Sequence, residues 1–300
     1  MTTESRMTES MMTQRITQFR GLSPLATRQE PATPDPILRL EGLSKQYPTK
    51  NGPLTVLEPT SLTVGVSELV SIVGPSGCGK STLLHVVGGL TTPTEGRVLL
   101  DGEEVYGPGA ERGMVFQAYT LFPWLTVRRN VQFGPKQRGV KKAERERLAD
   151  HFLDAVGLHG FRDHYPKQLS GGMRQRVAIA RALANSPRIL LMDEPFGALD
   201  AQTRTVMQEL LLDIRRQERT TTLFITHDID EAVFLSDRIF VMTARPGRLK
   251  AEIAVPFGPD RDAALRMSPE FFRIRAEVFD LLHSEGQAVV EAEIAAGRGG

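Results

Sequence analysis

Nine consecutive residues constrain this chain most: Gly74, Pro75, Ser76, Gly77, Cys78, Gly79, Lys80, Ser81 and Thr82. They fit G-x-x-x-x-G-K-[ST], a pattern in which closely spaced backbone N–H groups cradle phosphate oxygens. The lysine of the pattern reaches the β- and γ-phosphates and its hydroxyl residue holds Mg²⁺. Residues 69–73, Leu-Val-Ser-Ile-Val, read as a buried strand, and residues 80–87 as a helix whose N-terminus faces the phosphates. Strand, loop and helix in this order predict a nucleotide site rather than an idle glycine turn.

The chain has 300 residues, 40% hydrophobic and 24% charged, which suits a globular protein with ample core. A net charge of +1 gives no global field pointing to nucleic acid, and no nucleic-acid partner is expected. Cys78 is the single cysteine, so no intrachain disulfide can form and a reducing, cytoplasmic setting is expected. Its place near a helix N-terminus and Lys80 leads us to expect a thiol biased toward thiolate. No apolar run approaches a membrane span, and no secretion signal is visible. Residues 1–36, rich in Thr, Ser, Gln, Arg and Pro, read as a disordered tail.

Short strands are expected over 55–57, 61–64 and 69–73, with residues 37–43 and 96–102 completing a small antiparallel sheet beside the loop strand. Residues 118–186 read as a helical insertion, with helices over 127–133, 142–156 and 172–183. Strands at 189–192, 222–225 and 238–242 alternate with helices, one of them placing Val206, Leu210, Leu211 and Ile214 on its apolar stripe. This alternation predicts an α/β fold, a doubly wound sheet of P-loop NTPase type with an antiparallel β subdomain and an inserted α-helical subdomain. Phe271, Phe272, Val278, Phe279 and Leu282 outline a terminal amphipathic helix in an extension over 257–300.

Further residues supply what phosphoryl transfer to water requires. Asp193, at the end of a buried strand, is placed to orient Mg²⁺, and Glu194 beside it can take a proton from the attacking water. Gln117, ending another strand, can sense Mg²⁺ and that water, and His227 can hydrogen-bond the γ-phosphate. Leu169-Ser170-Gly171-Gly172 opens a basic helix and offers a second anion site.

These motifs, in this order, resemble the ATP-binding-cassette family over about residues 37–245, within a nucleotide-binding domain expected over 37–256: the phosphate loop, Gln117, the signature at 169–172, Asp193-Glu194, the loop Ala198-Leu199-Asp200 and His227. The resemblance implies that Tyr47 stacks on adenine. It also implies that two cassettes pair head to tail, the phosphate loop of one and Ser170-Gly171-Gly172 of the other enclosing ATP. One loop and one signature per chain then make a homodimer the simplest assembly. Met173 departs from the glutamine usual there, which puts a contact through that amide in doubt, although Gln175 follows nearby.

Between Gln117 and Leu125 the chain is unexpectedly apolar for a loop. In importers of the family this region receives a short helix of a separate membrane-spanning permease, and Phe122, Pro123, Trp124 and Leu125 are placed to line it. Filling of the helical core is the alternative. Residues 121–127 and 243–248 look like the ATPase subunits of nitrate, sulfonate and taurine importers, peripheral on the cytoplasmic face of the inner membrane and served by a separate solute-binding protein. A cassette ATPase acting on nucleic acid or ribosomes is the rival class; it would more naturally carry two cassettes or basic arms.

Overall fold

The computed structural model describes residues 36–297 of the chain. The tail expected over 1–36 therefore lies, apart from Pro36, outside the described residues.

Two sheets form around the phosphate-loop strand. β1 (Leu38–Thr49) and β2 (Gly52–Val64) make an antiparallel hairpin turned at Lys50-Asn51, and β4 (Glu95–Leu100) and β5 (Glu103–Glu104) extend it in the order β2-β1-β4-β5. The separate strands expected at 55–57 and 61–64 are one strand. Register shifts in the β1–β2 pairing accommodate Pro59 without ending it.

The larger sheet has the order β10-β9-β3-β8-β7-β6. It comprises β3 (Leu69–Val73), β6 (Arg112–Val115), β7 (Ile189–Asp193), β8 (Thr221–Ile225), β9 (Arg238–Met242) and β10 (Leu249–Ala254). β9, β3, β8, β7 and β6 run parallel; β10 pairs antiparallel with β9 at the edge. β10 was not anticipated, because its alternating Leu-Lys-Ala-Glu-Ile-Ala run is short and only half-buried.

The continuous apolar runs of the parallel strands follow from burial on both faces. Leu69 and Val73 of β3, with Leu190 and Met192 of β7, join a core shared with helices, whereas Val70, Ile72, Ile189 and Leu191 join one shared with the antiparallel sheet. The period of two divides each strand between the cores. α1 (Lys80–Val87) lies on the antiparallel-sheet side. The other core takes α2 (Val127–Gln137), α3 (Lys142–Ala155), α4 (Gly171–Leu183), α5 (Ala201–Glu218), α6 (Ile229–Leu235) and α7 (Pro269–Gly297). Phe196 and Phe224, fully buried with ring centroids 5.8 Å apart, pin the layer beneath the acidic strand end. Each contributes about 3 kcal/mol by leaving water.

Two helical stripes differ from expectation. On α5 the buried apolar positions are Met207, Leu211, Leu212 and Ile214 with Leu210 beside them, while Val206 is exposed. Val206 lies one residue, about 100°, off the row that Met207 begins. On α7, Phe271, Ile274 and Val278 are buried, and Phe272 and Phe279 face solvent for the same reason.

Candidate functional site

The parallel order β3-β8-β7-β6 aligns four strand ends in one row. Along it stand the loop 74–79, Thr226-His227, Asp193-Glu194 and Gln117. Ligands of open α/β sheets bind at this carboxyl edge, where neighbouring strands leave to opposite sides.

The loop is shaped by its backbone. Gly79, with φ +102°, caps α1 in the left-handed region, and a Cβ there would lie 2.8 Å from Leu57 Cδ2. Lys80 is buried beneath the loop, its ammonium donating to Gly74 O at 2.8 Å and Pro75 O at 3.0 Å. Ser76 and Gly77 are exposed and Thr82 half-buried. Cys78 corrects the thiolate expectation. It is 1% exposed, and burial pushes its thiol above the ordinary value despite Lys80 Nζ at 3.9 Å. Desolvation of a charged sulfur outweighs the nearby cation.

Ser81 Oγ donates to Asp193 Oδ1 at 3.0 Å, joining the helix start to the neighbouring strand end. Burial, foremost, raises the Asp193 carboxyl above its ordinary value, and the Ser81 hydroxyl and His85 oppose that shift. Glu194 Oε2 accepts from Gln117 Nε2 at 3.4 Å and meets His227 Nδ1 at 3.1 Å. An ionised Glu194 thus requires the hydrogen on Nδ1. Sequence reasoning missed that Glu194 has φ +41°, a left-handed conformation costing a β-carbon residue about 1–2 kcal/mol. Its N–H donates to Ile225 O at 2.9 Å and its carbonyl accepts from Gly197 N at 3.2 Å, which hold it there. The strain turns the carboxylate along the row rather than into the core.

A second cluster lies at the start of α4. Ser170 Oγ accepts from Met173 N at 3.3 Å, and the Cβ positions of Gly171 and Gly172 would fall 3.0 Å from Tyr119 Oη and 2.6 Å from Thr203 Cγ2. Asp200 caps α5, accepting from Thr203 N at 2.9 Å, and that bond holds its carboxyl below the ordinary range. Ser170, Gly171, Gly172 and Asp200 thus gather where α4 and α5 begin. Among the described residues no hydrogen bond or ion pair joins them to the loop 74–82 of the same chain. Met173 packs against the core and Gln175 is fully buried, so neither side chain presents a surface amide. Tyr47 sits on the β1–β2 hairpin, 37% exposed, with Lys45 Nζ 5.0 Å from its ring centroid.

Arg204 also escaped sequence reasoning. It pairs with Asp228 at 3.1 Å and donates to Leu199 O at 3.1 Å, tying the Ala198-Leu199-Asp200 loop to the residue after His227. An arginine four residues after a helix cap carries no sequence signal for this role.

A glycine loop between strand and helix, a hydroxyl–carboxylate pair and a Glu–His–Gln cluster on one sheet edge define an ATPase of the P-loop class. The chain belongs to the ABC transporter family, whose pattern it matches over residues 57–197. It is 46% identical to the nitrate import ATP-binding protein NrtD of Synechocystis over 85% of this chain and 98% of that one. It is also 46% identical to the taurine import ATP-binding protein TauB of Roseobacter denitrificans, over 82% and 93%. The fold matches a dimeric, post-hydrolysis ATP-binding cassette, MJ0796 bound to ADP and Pi, with TM-score 0.65 and 34% identity over 74% of this chain and 100% of that one.

Proposed function

We propose that this chain is the ATP-hydrolysing motor of a solute importer whose membrane-spanning and solute-capturing parts are separate proteins. The convergence of Gln117 and His227 on the Glu194 carboxylate, beside the Ser81–Asp193 pair, carries the reading. Glu194 takes the proton of the water that attacks the γ-phosphate. Lys80, His227 and the N–H groups of Gly77, Cys78, Gly79 and Ser81 stabilise the charge that develops on the phosphate. Tyr47 offers its face to adenine, with Pro75, Ser76, Gly74 and Thr82 framing the phosphates.

The donor set fits Mg²⁺. Ser81 and Asp193 present two hard oxygens, and a dication would offset the burial that raises Asp193; phosphate oxygens and water complete such a shell in ATPases, with Gln117 within the same row. Bound there, Mg²⁺ supplies charge neutralisation between the phosphates.

Ser170, Gly171, Gly172 and Asp200 serve the site of a second copy, which explains an anion-binding helix start placed away from its own loop. A homodimer closes on two ATP molecules and reopens after hydrolysis. Turning such an equilibrium from 1:99 to 99:1 needs about 5.5 kcal/mol of differential affinity, within reach of phosphate contacts made only in the closed form. Residues 37–256 are the cassette, with 118–186 its helical part, and 257–300 an extension.

The permease docks beside Gln117. A cavity of about 340 Å³ there is lined by Phe116, Thr120, Phe122, Phe133 and Arg181, and Trp124, at 70% exposed, stands next to Phe122 with ring centroids 5.7 Å apart. That exposure favours docking over core filling for Trp124. No described helix is long and apolar enough to cross a membrane. Docked through this contact, the chain would sit peripherally on the cytoplasmic face. The names of the relatives support nitrate, taurine or a similar small solute, bound by the companion protein. To test this, the tagged chain is recovered from gently solubilised membranes of its own cell and its companions are identified by mass spectrometry. A stoichiometric multi-span partner is expected, and its loss on Trp124→Ala. Recovery only with ribosomes or nucleic acid would overturn the importer reading.

A further inference from the structure

The phosphate loop is braced from outside by the turn that follows β9. Because β9 lies next to β3 in the sheet, residues 243–248 emerge beside residues 74–79. Arg245 Nε donates to Gly77 O at 3.2 Å, and Gly247 lies so close that a Cβ there would stand 1.9 Å from Cys78 O. Two successive loop carbonyls therefore face this turn. In a trans peptide the N–H points opposite to the C=O, so the N–H groups of Cys78 and Gly79 are turned away from the turn, and that of Cys78 meets Pro75 O across the loop at a long 3.4 Å. A guanidinium on the Gly77 carbonyl also polarises that peptide and strengthens the Cys78 N–H as a donor.

The turn is held in its own right. Gly247 N donates to Val56 O and its carbonyl accepts from Glu58 N, both at 2.9 Å, while Thr243 Oγ1 accepts from Arg248 N at 3.1 Å. One further contact comes from far along the chain. Glu285 of α7 accepts from Ala244 N at 3.2 Å through one oxygen and pairs with Lys250 Nζ at 2.7 Å through the other. Lys250 in turn donates to Leu281 O at 3.1 Å, one turn back on the same helix. Only 17% of the Glu285 side chain is exposed, so this is a seated carboxylate and not a surface pair.

We propose that Arg245 is a positioning residue for the phosphate-binding N–H groups and that Glu285 sets the turn carrying it, so that the terminal helix adjusts the affinity of the loop for ATP. The inference rests on residues 74–82 being the ATP cradle. A partner or solute acting on α7 would then act on ATP binding without touching the site.

The test uses the full chain, a fluorescent ATP analogue for affinity and steady-state ATPase rates, well below the Tm of each variant. Arg245→Ala is expected to weaken nucleotide binding about tenfold, the loss of one charge-assisted hydrogen bond, and to lower kcat at saturating ATP as well, because the same N–H groups stabilise the charge that develops on the phosphate. Arg245→Lys, which keeps a donor for Gly77 O, is expected to recover most of the affinity. Glu285→Gln is expected to weaken binding about threefold, and the double variant Arg245→Ala/Glu285→Gln to bind no more weakly than Arg245→Ala alone. A Glu285→Gln protein that melts earlier yet binds as wild type, or additive effects in the double variant, would overturn the link. Lys80→Ala separates the two levels: full binding by that variant would refute the cradle itself, whereas its loss beside unaltered Arg245 variants would refute only the brace.

Discussion

Glu194→Gln is expected to bind ATP with near wild-type affinity while phosphate release falls about 10²–10⁴-fold, the range associated with losing a general base. The substitution is nearly isosteric. A glutamine carbonyl still accepts from Gln117 Nε2 and His227 Nδ1, and the backbone restraints at Ile225 and Gly197 do not involve the side chain. What is lost is the ability to take a proton, so the effect falls on the chemical step and leaves binding alone. Nucleotide titration and a phosphate-release assay on one preparation measure both. Turnover retained within tenfold would remove Glu194 from the base role and shift attention to His227.

Lys80→Ala should reduce ATP affinity by about two orders of magnitude, a charge-assisted contact to phosphate being worth about 1.5–3 kcal/mol per hydrogen bond. A second consequence is local. The ammonium donates to Gly74 O and Pro75 O from a buried position, so its removal leaves two loop carbonyls without that donor and loosens the cradle even before nucleotide arrives. Calorimetric titration together with a melting curve separates the two effects. Unaltered affinity would contradict the assignment of the loop.

Much of this site was legible because it is built from strand ends. A run such as Ile-Leu-Leu-Met followed by Asp193 has one reading, a strand buried on both faces whose last residue emerges at the carboxyl edge. The same logic brings Gln117 and His227 to that edge, and the parallel order then sets them on either side of Asp193-Glu194. Helical detail was less legible. Val206 and Phe279 are apolar enough for a stripe, and only the packing partner decides which of two rows, about 100° apart, turns inward. The thiolate bias expected of Cys78 does not survive because spacing reveals a neighbouring lysine but not the burial that raises the thiol. The left-handed backbone of Glu194 and the contact of Arg245 with Gly77 had no sequence signature at all. Both arise from chain segments that the sheet order juxtaposes.

The division of the site between the start of α4 and the loop before α1 makes the head-to-tail pair the central claim. Ser170-Gly171-Gly172 and Asp200 gather beside Thr203 and Tyr119, and the phosphate loop gathers with Asp193 across the strand ends. The most direct measurement is therefore the mass of Glu194→Gln in solution by light scattering, with and without Mg²⁺ and ATP. The expected result is a shift from the 33.2 kDa chain to twice that mass on adding ATP, reversed by Ser170→Arg in the same background. A protein that binds ATP to saturation and stays at the mass of one chain would contradict the account.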